Sequence, residues 1–231
     1  MLLPLAVQHV TNPHTALLTE SFYLVYDRSM TWYIPGSPQY VGVDVQRDLA
    51  AGTFRFDYTR HPVFALAQNW LVSRGADPAL VTPDVEDPMD TDQATRDLEE
   101  FLARSGDRFH AVDDYTYDQV DSYQTWVIVQ DTRPEPGQQP VRVLFEDIDM
   151  PGHSYTLREG GFPTVEAARK WTTKAGADDN PLPPLLIAPP SARAAGALAA
   201  GTAVVAVSPP RSAPEPVAGA ADSRTPRPKS R

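Results

Sequence analysis

Apolar residues recur at three- and four-residue spacing from Arg60 to Gly75: Val63, Phe64, Leu66, Ala67, Trp70 and Leu71, with Gln68, Asn69, Ser73 and Arg74 falling elsewhere. That is the period of an α-helix with a wide apolar stripe, which needs a sheet or other helices to cover it. Both ends carry the matching chemistry. Pro62 suits the first helical position, where its missing N–H costs nothing, and Gly75 can take the left-handed conformation that closes a helix. The phrase returns as Pro163-Thr164-Val165-Glu166-Ala167-Ala168-Arg169-Lys170-Trp171, again with Ala five and Trp eight residues after Pro. Thr164 can cap this second helix, with Glu166 in its first turn and Arg169, Lys170 and Lys174 toward its end, as the helix dipole favours. Each phrase follows strand-like sequence, so the pattern predicts a strand-strand-helix unit used twice.

The strands are read from alternation and β-rich composition. Phe22–Tyr26 and Met30–Ile34 flank a short polar break and predict one hairpin. Residues 40–45 and 53–58 predict a second, the latter alternating Phe54, Phe56 and Tyr58 against Arg55 and Asp57. Further on, Phe109–Tyr117, Gln124–Gln130, Val141–Ile148 and Ser154–Glu159 read as strands. Between the two sets, Asp77-Pro78, Thr82-Pro83-Asp84 and Asp87-Pro88 are loop chemistry. A helix then runs from a cap at Asp90 or Thr91 to about Arg104, with Leu98, Phe101 and Leu102 on its apolar side and Glu100–Arg104 as an i, i+4 pair. The expected fold is α+β, a mostly antiparallel sheet with about three helices.

Composition sets the boundaries. All Phe, Tyr and Trp lie between Phe22 and Trp171, so the folded part is expected to span 21–176, as subunits 21–75 and 105–176 joined by 76–104. Residues 1–20 lack the charged start and cleavage site of a secretory signal and read as a loose leader. From 177 to 231 there are 11 Pro and no aromatic, a composition that predicts a disordered tail. Its longest apolar run, Ala194–Val207, is too short and too rich in Ala and Gly for a membrane span of about 20 residues. The chain has no cysteine, which excludes disulfides and thiolate sites and suits a reducing cytoplasm.

Net charge is −10, and the segment 77–121 alone holds 14 acids against Arg96, Arg104 and Arg108. Such a surface repels phosphate backbones and argues against nucleic-acid binding by the folded part. Within it Asp113, Asp114, Tyr115, Tyr117, Asp118, Asp121 and Tyr123 interleave acids with tyrosines, the composition of a docking edge for a protein with a basic surface. No phosphate loop, dinucleotide fingerprint, Gly-x-Ser-x-Gly or His-Glu-x-x-His occurs. The best catalytic constellation is Asp147 and Asp149 at a strand end with His153, a pattern suited to a divalent metal or a general base. A strand simply leaving the core, its last residues meeting water in the following turn, accounts for these residues more economically. The reading that follows is a non-catalytic cytoplasmic accessory or regulatory protein that binds another protein, with no cofactor. An acidic nucleic-acid mimic and a metal-dependent hydrolase are the alternatives.

Overall fold

A computed structural model describes residues 2–11, 18–29, 36–83, 87–118, 122–177 and 179–185, without the side chains of residues 11, 118 and 122. Among them are two four-stranded antiparallel sheets and three helices. The first sheet runs β1 (Leu2–Thr11), β2 (Leu18–Asp27), β3 (Tyr40–Asp48) and β4 (Thr53–His61) in spatial order, followed by α1 (Phe64–Ser73). After α2 (Gln93–Ala103) the pattern repeats as β5 (Phe109–Asp118), β6 (Ser122–Asp131), β7 (Val141–Asp149) and β8 (Ser154–Phe162), then α3 (Val165–Thr172). The unit used twice is therefore four strands and a helix.

The two copies agree in detail. Corresponding strands have equal lengths of 10, 10, 9 and 9 residues. The first pair of each sheet breaks register once, between Pro4 and Ala6 and between Ala111 and Asp113. Asp27 and Asp131 end the second strand of each copy, both buried, both accepting the backbone N–H two residues on, and both donating their own N–H across the turn, to the carbonyls of Gln39 and Pro140. Gly36 and Gly137, and Gly75 and Gly176, take positive φ at matching places.

Helix α1 joins the copies because it is apolar on two sides. Ala67 and Leu71 pack with Phe22 and Leu24 of the first sheet, whereas Val63, Ala65 and Leu66 pack with Val127, Val129, Leu144 and Leu157 of the second. Leu102 of α2 completes the second cluster. Gln68 and Asn69, read from the sequence as lying off the stripe, are 8 % exposed for this reason. Burial obliges their amides to find partners. Gln68 donates to the Val81 carbonyl, and Asn69 both donates to and accepts from the backbone of Gly106, so both tie the linker down. On the far side of the second sheet, Ala168 and Trp171 of α3 pack on Ile128, Val143 and Phe162. The order of layers is first sheet, α1 with α2, second sheet, α3.

Two boundaries differ from the sequence reading. Leu2–Val10 was expected within a loose leader and instead belongs to β1, paired along its length with β2. Its Pro4 is tolerated because β1 is an edge strand with a bulge at that point. At the other end, order continues past 176: the Trp171 indole donates to the Pro181 carbonyl, Gly161 N–H donates to the Pro183 carbonyl, and Leu182 packs in the α3 cluster. Residues 186–231, the rest of the expected tail, lie outside the described residues, as do Met30–Ile34 of the expected first hairpin. Among the described residues β2 is paired on both sides, by β1 and β3. No described helix is long and apolar enough to cross a membrane.

Candidate functional site

Strand alternation divides the acidic, tyrosine-containing stretch. Asp113, Tyr115 and Tyr117 stand opposite Ile128, Trp126 and Gln124, on the α3 side of the second sheet. There Asp113 meets Arg169 at 2.9 Å, Tyr115 stacks on Trp126, and Tyr115 also lies against Gly36, where any Cβ would come within 2.5 Å of the ring. Asp114 stands on the opposite face, half-buried, and burial followed by the neighbouring Asp113 charge raises its carboxyl to about 6. Tyr123 faces inward and lines the space between the copies. Asp121 and the side chain of Asp118 lie outside the described residues. Other acids of the segment are engaged locally, Asp92 with Arg158, Glu100 with Arg104 and Asp107 with Arg133.

The strand-end constellation is not brought together. Asp147 faces the α3 side and accepts from Gln124, Asp149 accepts the Gly152 N–H inside the β7–β8 turn, and His153 is exposed with Asp87 3.5 Å away. The left-handed φ of 48° at His153 belongs to the turn, since Gly52 holds φ 63° at the same place in the β3–β4 turn.

Among the described residues no element packs on the face of the first sheet turned away from α1. Register places Val7, Tyr23, Val43 and Tyr58 in one row across it, and His9, Ser21, Val45 and Phe56 in the next, with Thr19, Arg47 and Phe54 beyond. A polar strip crosses one side: His9 Nδ1 and Arg47 Nη1 lie 2.7 and 2.6 Å from Ser21 Oγ, and Arg47 Nη2 donates to the Tyr23 hydroxyl. These groups cover Ser21 to 1 % exposure. Along β4 the face is aromatic and bare, with Phe54 71 %, Phe56 59 % and Tyr58 59 % exposed. The sequence shows the alternation of these three, but alternation alone does not say which side of a sheet is covered.

The second copy shows what this face does when occupied. In the same register the rows read Asp114, Val127, Leu144, Glu159 and Thr116, Thr125, Glu146, Leu157. Even the polar pair is kept in kind, His9–Ser21 becoming the Thr116–Thr125 hydroxyl pair at 3.1 Å. There Val127, Leu144 and Leu157 are at most 1 % exposed, because α1 and α2 lie on them. At the other end of the stack the outward side of α3 carries Glu166, Arg169 and Lys170, all exposed. The stack is thus closed by charge at one end and open, with aromatics, at the other.

The chain matches no protein-family model, no curated protein and no solved structure.

Proposed function

We propose that the protein is a non-catalytic binding module that takes a partner protein on the open face of its first sheet, between Val7 and Phe54. One observation supports this above the rest: the equivalent face of the second sheet is buried under a helical layer, and the first sheet presents the same register uncovered. Large exposed aromatics on an edge strand are a liability that interaction with a partner removes. The expected partner element is an amphipathic helix or helix pair, the kind of surface α1 and α2 supply internally. Its apolar side would meet Phe54, Phe56 and Tyr58, and acceptor groups at its margin would meet Arg47.

This keeps the accessory, protein-binding role expected from the sequence and moves the docking surface from the acidic edge to the sheet face. Purifying the parent and Phe56→Asp side by side from the native cellular background tests the reading. The expected result is a discrete partner with the parent and its loss with the variant, at unchanged melting temperature because Phe56 is exposed. The same partners on both proteins would remove the open face from the account.

A further inference from the structure

A cleft of about 940 Å³ lies between the α1 side of the first sheet, the two linker-side helices and the second sheet. It is on the opposite side of the first sheet from the open face, so what it does is independent of docking there. Leu5, Phe64, Met89 and Ile148 give it apolar walls, and four phenols enter it, Tyr26 and Tyr40 from the first sheet and Tyr123 and Tyr155 from the second. Size and lining are those of a small-molecule site, mostly apolar with a few convergent polar groups.

Two carboxylates reach the space, and they differ. Glu99 of α2 accepts from the Tyr155 hydroxyl on both oxygens, at 3.0 and 3.1 Å. Glu146 of β7 is 4 % exposed, and its side chain has no hydrogen-bond or ion-pair partner among the described residues. The other charged groups at the cleft are exposed at its margin: Arg104 is held by Glu100, Arg96 donates to the Thr91 carbonyl, Asp87 faces His153, and Arg28 is also engaged. An unpartnered carboxyl in such a place opposes folding rather than aiding it. The fold does not require it either, because Val45 holds the same register position in the first copy. Burial, then the charge of Glu99, pushes Glu146 up to about 8.

We infer that this cleft binds a primary ammonium ligand with an aromatic or aliphatic body, the cation seated against Glu146 among the tyrosine rings and the body along Phe64 and Ile148. Ring faces attract ammonium groups most strongly where water is excluded, and the buried Glu146 carboxylate, to which no described residue donates, supplies the counter-charge. Near neutral pH the empty site holds Glu146 protonated, so seating a cation ionises it and releases one proton to solvent.

Titration calorimetry of the full chain with phenethylamine and with its uncharged counterpart 2-phenylethanol, near neutral pH in two buffers of different ionisation heat, tests this. The amine is expected to bind saturably, about tenfold or more tighter than the alcohol, with a buffer-dependent heat that reports the released proton. Glu146→Gln and Glu146→Val are each expected to weaken amine binding about tenfold and leave the alcohol unchanged, Val being the residue the first copy already carries at this position. Circular dichroism in the aromatic region confirms that either variant keeps its fold. Equal affinity for amine and alcohol, no saturable amine binding, or parent-like amine binding by both folded variants would overturn the proposal.

Discussion

Gly52 and His153 stand at the same point of two matching turns, four residues long, both in the left-handed region with φ of 63° and 48°. A Cβ makes that conformation costly, by roughly 1–2 kcal/mol for an ordinary residue. His153→Gly is therefore expected to stabilise the protein by about 1 kcal/mol, net of the extra freedom glycine gives the unfolded chain. Equilibrium urea unfolding of parent and variant measures it. A loss of stability would show that the imidazole contributes contacts outweighing the strain.

Trp171 is 8 % exposed, packed on Phe145 and Phe162 and donating to Pro181. Trp171→Ala is expected to cost about 3–5 kcal/mol, as deletion of a core aromatic does. Trp70 is only half-buried: its ring lies over Gly42, where a Cβ would approach within 2.8 Å, and under Arg74 at 4.1 Å. Trp70→Ala should cost less, about 2 kcal/mol. The order of the two losses in urea unfolding is the check, and equal losses would mean that Trp70 is held more tightly than its exposure indicates.

The contacts of Asn180, Pro181, Leu182 and Pro183 with α3 and β8 place the edge of the folded unit beyond Lys174. A chain cut after Lys174 is expected to melt several degrees below one cut after Leu185, since about 1–2 kcal/mol moves the midpoint by that much. Coincident melting curves would put the boundary back near 176.

Glu146 also fixes a pH dependence. Its folded value of about 8 lies above the ordinary 4.5, so the folded state holds a proton that the unfolded chain gives up. Its contribution falls as pH rises from about 4.5 and levels off above about 8. Glu146→Gln removes this loss and should stabilise the protein at pH 8 by on the order of 4 kcal/mol, with little difference below pH 4.5. His61 acts in the opposite sense over a lower range, because burial lowers it to about 4 and stability is lost as pH falls from 6.5 toward that value. Melting temperatures of parent and variant from pH 4 to 9 test the assignment, and a constant offset at every pH would contradict it.

The helix phrases were legible because Pro, Ala and Trp recur at fixed offsets, and the structure places both helices at equivalent points of the duplicated unit. The α+β class, the antiparallel pairing, the cap at Thr164 and the Glu100–Arg104 pair were legible for the same local reasons. β1 was hidden because Pro4 and the bulge break the alternation that marks a strand. What the sequence withheld about the sites is long-range. Neither the burial of α1 on two sides nor the openness of one sheet face is written in local periodicity, since Phe56 and Leu157 occupy the same register and differ only in what lies above them. Glu146 carries no local signal that separates it from Asp147, because its burial comes from elements far away in sequence.

A photoreactive phenylalanine analogue at position 56 tests the central claim most directly. Irradiation in cells, followed by mass spectrometry of the adduct, is expected to give one discrete cross-link from this position to a helical segment of a different protein. The same analogue at position 170, on the charged outer side of α3, is expected to give none. No adduct from position 56, or the same adducts from both positions, would contradict the open sheet face as the docking surface.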